Sequence, residues 1–205
     1  MRFIVRGGKP LSGTIELAGA KIAAPKLMIA SLLTEEPCVL ENFPRIGETE
    51  ITVELCKQIG SEVLLDGTTI TLITPQIRNN RVLEMSRRNR IPILALGPLL
   101  ARTGEAEVPI LGGDKIGPRP VDIHISALEA LGAKISVTSE SYRATVPHGL
   151  RGAEIVFRFY SSVLCTALVL KDALLQNATE LVVDRLLSNV CVRCTETLCL
   201  VFSHK

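Results

Sequence analysis

The chain repeats itself loosely at about 70 residues, and no other feature narrows its fold as far. LCKQIGSEVLLDGTTITLITP (55–75) lines up with ALEALGAKISVTSESYRATVP (127–147). Each reads as a helix end, a glycine and two alternating strands joined by a polar turn. Ile51, Leu55 and Ile59 form one apolar helix stripe, and Val121, Ile125, Leu128 and Leu131 form the other. Gly60 and Gly132 stand where a left-handed helix terminator is wanted. Upstream, APKLMIASLLTEEPCVLENFP (24–44) matches RIPILALGPLLARTGEAEVPI (90–110), and a third copy starts at SSVLCTALVLKDALLQNATELVVD (161–184). The expected unit is helix–strand–helix–strand–strand with a strand leading in, packed so that apolar helices are buried against mixed sheets. The helices over 24–33 and 91–101 are apolar nearly all round, which predicts that they lie inside. The third copy lacks its helix-ending glycine, since none follows Gly152, and residues 184–205 read as a divergent tail.

Composition excludes several classes. A 205-residue chain with 47% hydrophobic and 21% charged residues is globular rather than disordered. A net charge of +2 gives no argument for nucleic-acid or membrane partners, and the absence of tryptophan leaves few stacking platforms for bases. Charges and prolines interrupt every apolar run well short of ~18 residues, so no transmembrane span is expected. The opening MRFIVRGGKPLSG reads as a strand over Phe3–Val5 rather than a secretory signal. Six cysteines without a framework point to a reduced, cytoplasmic protein. Cys38 and Cys56 read as small core residues. Cys191, Cys194 and Cys199 with His204 lack the spacing of a structural zinc site, so no metal is expected.

GGDKIGPRPVD (112–122) is the candidate site loop. Its glycines let consecutive amides converge on an anion. It fits neither the phosphate-loop nor the dinucleotide glycine pattern. Pro118 and Pro120 stiffen the stem of Arg119, which suits bidentate capture of a phosphate or carboxylate. Asp114 beside Lys115 is a candidate acid or base. By composition alone, a solvated loop before a helix accounts for the stretch as well. Arg90, ending RRNR (87–90), sits at a helix start, where amides and the helix dipole favour anions. His124, taken alone, reads as a cap or surface residue, and His148 as solvent-facing.

LSGTIELAGAKIAA (11–24), LALGPLLAR (94–102), GGDKIGPRPVDIHISALEALGAKI (112–135) and LRGAEIV (150–156) together resemble the UDP-N-acetylglucosamine 1-carboxyvinyltransferases, enolpyruvyl transferases of peptidoglycan precursor synthesis. The resemblance covers residues 3–183 and the N-terminal half of such an enzyme. The shikimate-pathway enolpyruvyl transferases share the repeat but usually show Gly-Ser-Lys where this chain has Gly19-Ala20-Lys21. The resemblance implies an α/β fold of repeated βαβαββ-type units, an inside-out α/β barrel, here truncated. Residues 1–20 would be the leading strand of an otherwise missing first lobe, 21–183 second-lobe units carrying the Asp114 loop, and 184–205 the tail.

The same resemblance implies transfer of the enolpyruvyl group of phosphoenolpyruvate to the 3-hydroxyl of UDP-N-acetylglucosamine, with release of phosphate and no cofactor. It assigns Lys21 to phosphoenolpyruvate, Arg90 and Arg119 to its phosphate, and Asp114 to proton donation in place of a more usual cysteine. Pro120, Val121, Asp122 and His124 would touch the UDP moiety, and Ser162 and Val163 the nucleotide sugar. Three departures stand against full activity: Ile22 replaces a family asparagine, Leu164 and Cys165 replace small residues, and Pro92 replaces a small polar one. The chain alone is therefore expected not to turn over, with a separately encoded second lobe as a conceivable partner. A UDP-sugar-binding half-protein and a non-functional remnant are the alternatives.

Overall fold

The computed structural model describes residues 3–4, 7–8, 10, 12–86, 89–110, 112, 121–153, 155–157 and 181–183. The repeat expected from sequence is present twice. The first unit runs α1 (Ala23–Ala30), a 3-10 turn (Ser31–Leu33), β1 (Cys38–Leu40), α2 (Gly47–Ile59), β2 (Glu62–Asp66) and β3 (Thr69–Ile73). The second runs α3 (Pro92–Thr103), β4 (Glu105–Pro109), α4 (Asp122–Ala130), β5 (Lys134–Val137) and β6 (Ser141–Thr145). Each closes an antiparallel three-stranded sheet of the same order, β1-β3-β2 and β4-β6-β5, with the last hairpin strand in the centre. Two short strands, β7 (Ile155–Phe157) and β8 (Leu181–Val183), pair in parallel, so the third copy supplies its lead-in strand and one later strand.

Helices are inside and sheets outside. All residues of α3 from Pro92 to Leu100 are buried, and Met28 and Leu32 pack into the same core. The hydrophobic stripes read from sequence account for α2, where Leu55, Cys56 and Ile59 are fully buried. The outward faces of the sheets leave Val39, Leu64 and Val137 about half exposed. Pro98 sits within α3 and withholds one helical amide. The residue before it, Gly97, has no Cβ to clash with the proline ring. Gly60 ends α2 at φ +124, the terminator expected there.

Side chains tie the two units together. Arg102, near the C-terminal end of α3, donates from Nη1 to Leu32 O at 3.1 Å and Thr74 O at 2.7 Å, and from Nη2 to Pro75 O at 3.0 Å. Glu107 of β4 accepts from Ser141 Oγ at 2.8 Å and from Arg81 Nε at 2.9 Å. The Ser141 bond, with the charges of Arg81 and Arg143, holds its carboxyl below the usual range against the opposing effect of burial.

Lead-in strands are where the sequence expectation was too regular. β7 fulfils it, whereas the second unit keeps a single parallel bridge, Arg81 to Glu107. Phe3 and Ile4 form no strand and are 80% and 74% exposed. A strand is stable only as part of a ladder, and among the described residues nothing pairs with them. Cys38 also differs from expectation: it is half-buried at the start of the edge strand β1, whereas Cys56 is fully buried and its thiol is pushed up to about 12.

Candidate functional site

Cationic side chains gather where α1, α3 and α4 begin. Arg90 lies two residues before α3, Lys26 in the first turn of α1, and His124 in the first turn of α4. α3 packs against both α1 and α4, and Arg90 and Lys26 both act electrostatically on His124. His124 is 8% exposed rather than the surface or cap residue its position suggested. It shares the buried face of α4 with Ala127 and Leu128, so packing overrides the usual exposure of a first-turn polar residue. Burial, then the charges of Arg90 and Lys26, lower its pKa to about 4 against a weaker opposing pull from Asp122. The imidazole is therefore neutral at neutral pH, with two cations beside it.

The segment that delivers Arg90 is clamped along its length. Asn80 O accepts from Glu107 N at 2.8 Å, and Val82 N donates to Glu107 O at 2.9 Å. Gln58 Nε2 of α2 donates to Glu84 O at 3.0 Å, and Ser86 gives both its amide and its hydroxyl to the Glu54 carboxylate. Asn89 then meets the glycine loop: its carbonyl accepts the Gly112 amide at 3.1 Å. Arg90 and the root of the loop are thus joined by one backbone bond.

Lys21 is placed by a close backbone contact. A Cβ on Gly19 would lie 2.0 Å from Asn42 O, so only glycine fits between that carbonyl and the turn bearing Lys21. Asn42, itself at φ +51, clasps the same segment by donating from Nδ2 to Leu17 O at 3.4 Å. Lys21 projects into solvent, 4.0 Å from the Glu48 carboxylate, and nothing joins it directly to the Arg90–His124 group. Ile22 is 66% exposed at the start of α1 and contributes no capping bond.

Among the remaining expected residues, Val121 is half-buried against the core and Asp122 is exposed at the first position of α4. Asp114, Arg119, Pro120, Ser162 and Val163 lie outside the described residues, as do Leu164 and Cys165. Lys26 escaped the sequence reading. Its signal was a lone cation in the first turn of an apolar helix, where the dipole disfavours positive charge. A shallow cavity lined by Glu35, Pro75, Gln76, Ile77, Arg102 and Thr103 lies at the other end of α3, roughly 15 Å from the helix start by helical rise. Its cation is already engaged in holding the two units together.

A family model described as EPSP synthase (3-phosphoshikimate 1-carboxyvinyltransferase) matches residues 5–203. The chain belongs to this enolpyruvyl transferase family. The match runs on through most of residues 184–205, the segment read from sequence as a divergent tail. Within the family, the motif resemblance to the UDP-N-acetylglucosamine 1-carboxyvinyltransferases holds. The enzyme so named from Acidiphilium cryptum is 42% identical over 182 residues, covering 88% of this chain and 44% of its own length. That of Chlamydia abortus is 44% identical over 179 residues, covering 85% and 40%. The chain thus spans less than half the length of these relatives.

Solved enolpyruvyl transferases share the fold at low identity. The enolpyruvyl transferase NikO from Streptomyces tendae superposes with a TM-score of 0.65 at 20% identity, over 81% of this chain and 40% of its own. EPSP synthase from Acinetobacter baumannii gives 0.63 at 14% identity, over 86% and 41%. The repeated α/β units are therefore a partial enolpyruvyl transferase fold, as the sequence motifs implied. No helix among the described residues is long and apolar enough to cross a membrane.

Proposed function

We propose that this chain carries the second-lobe half of an active site for enolpyruvyl transfer from phosphoenolpyruvate to the 3-hydroxyl of UDP-N-acetylglucosamine. That reaction belongs to peptidoglycan precursor synthesis in the cytoplasm, and through it to cell-wall biogenesis, cell shape and division. The observation that carries the reading is the convergence of Arg90, Lys26 and His124 at the starts of three packed helices. Positive charge and helix N-termini together favour a phosphate or carboxylate there. A departing phosphate held in such a place is the electrostatic help that this transfer needs. The names and identities of the relatives support the choice of acceptor sugar.

The roles follow the motif assignments. Arg90 and Arg119 hold the phosphate and Lys21 the phosphoenolpyruvate. Asp114 protonates the enolpyruvyl methylene, and Pro120, Val121, Asp122, His124, Ser162 and Val163 receive the nucleotide sugar. In this reading residues 1–20 belong to the other lobe, 21–183 to this one and 184–205 to a divergent end. Because the chain spans under half of its relatives' length, we take it to bind substrates but not to turn over unless a second lobe is supplied. Phosphate release would be measured with the chain alone and with the second-half lobe of a relative added. Release only on addition is the expected result. No release in either case, together with no binding of either substrate, refutes the reading.

A further inference from the structure

Asn89 occupies the junction between Arg90 and the glycine loop, and both of its oxygens are engaged there. Its carbonyl accepts from Gly112 N at 3.1 Å, and its Oδ1 accepts the Ile91 amide at 3.0 Å at the start of α3. The Ile91 bond fixes the orientation of the side chain, because a flipped amide would set two donors against each other. The side-chain amide nitrogen, Nδ2, is shielded from solvent and has no hydrogen-bond partner among the described residues. A buried donor left unmatched is unfavourable, because it gives up water without gaining an acceptor. Asn89 directly precedes Arg90 in the chain, and an oxyanion arriving at Arg90 would bring acceptors to this end of α3.

We propose that Asn89 is a ligand-holding residue: with an oxyanion in the Arg90 site, Asn89 Nδ2 donates to one of its oxygens. Asn89 would then bind ligand, hold the Ile91 amide and anchor the loop root from one position. The inference rests on the site reading given above. The acceptor is a phosphate or carboxylate oxygen, and titration with inorganic phosphate as well as phosphoenolpyruvate distinguishes the two.

The test is isothermal titration of both anions into the full chain, with UDP-N-acetylglucosamine present, alongside urea unfolding. Asn89→Ser keeps an acceptor for the Ile91 amide but removes the amide donor. Asn89→Asp keeps the shape and the acceptor, removes the donor and adds a negative charge. The expected result is an affinity about tenfold or more weaker for Asn89→Ser and weaker still for Asn89→Asp, the weight of a hydrogen bond to a charged group. The unfolding midpoint of Asn89→Ser should be unchanged or raised, since an unmatched buried donor is gone. Wild-type affinity in Asn89→Ser overturns the proposal, as when a water satisfies Nδ2. A stability loss matching the affinity loss also overturns it, because the amide would then be holding the fold. If the wild-type chain binds neither anion, the site reading fails first. If it binds and Arg90→Ala does not, while Asn89→Ser binds normally, only the Asn89 inference fails.

Discussion

A neutral histidine buried beside two cations makes this protein acid-sensitive in a window that can be calculated. The pKa of His124 is about 4 in the fold, against 6.5 when unfolded. Above pH 6.5 neither state binds the proton, and the stability His124 permits is fully present. As pH falls from about 6.5 toward about 4, the unfolded chain takes up a proton that the fold refuses, so stability drops. The slope approaches about 1.4 kcal/mol per pH unit and the whole loss is about 3 kcal/mol. Glu107 acts in the same direction, but in the unfolded chain its carboxyl takes up protons only around pH 4.5, so the change between pH 6.5 and 5.5 comes chiefly from the histidine.

The chain has no tryptophan, so urea unfolding should be followed by far-ultraviolet circular dichroism at pH 4.7, 5.5, 6.5 and 7.5. The midpoint should fall steadily below pH 6.5 in the wild type and stay nearly level between pH 6.5 and 5.5 in His124→Leu. Saturating phosphoenolpyruvate should flatten the wild-type slope, because an anion beside the imidazole favours its protonated form. Binding near pH 5.5 should correspondingly take up a proton. A wild-type midpoint that does not change over this range, or a slope that persists in His124→Leu, refutes the argument.

Two further substitutions probe how the site is held. Gly19→Ala forces a methyl to 2.0 Å from Asn42 O, and a backbone atom yields less readily than a side chain. It should lose about 1–3 kcal/mol in urea unfolding, whereas Gly7→Ala, with open space around it, should lose nearly none. Arg102→Met strands three carbonyls at the seam of the two repeat units and should cost about 2–4 kcal/mol in the same assay. Glu35→Gln, which removes only the exposed end of that network, should cost under about 1 kcal/mol.

The repeat, its order of elements and the interior position of α1 and α3 were legible because each rests on local pattern. Hydrophobic stripes, a helix-ending glycine and paired alternating runs need no knowledge of neighbours. Phe3 and Ile4 failed for the opposite reason, since a short apolar run becomes a strand only when another strand is present to pair with it. His124 was misjudged because its burial depends on which face α4 turns inward, a tertiary fact. Lys26 carried no motif at all, and Asn89 lay inside RRNR (87–90), where only Arg90 was given a role. The first drew attention only as a charge in the wrong turn of a helix, and the second only once its unmatched amide was seen.

These oversights share a physical character. A lysine in the first turn of α1 opposes the helix dipole, a histidine kept neutral between cations sacrifices acid stability, and an asparagine amide is buried without an acceptor among the described residues. Each is unfavourable to folding by itself, and local rules of sequence reading assume that such choices are avoided. Here Lys26 and His124 meet beside Arg90, and Asn89 precedes Arg90 in the chain. A single oxyanion would act on all three at once, supplying an acceptor for Asn89, adding negative charge near Lys26 and Arg90, and giving His124 a reason to take its proton. Scattered through the fold, the same three features would be unrelated defects. Gathered at the root of the glycine loop, they argue that the free chain carries a cost at this place which ligand binding removes.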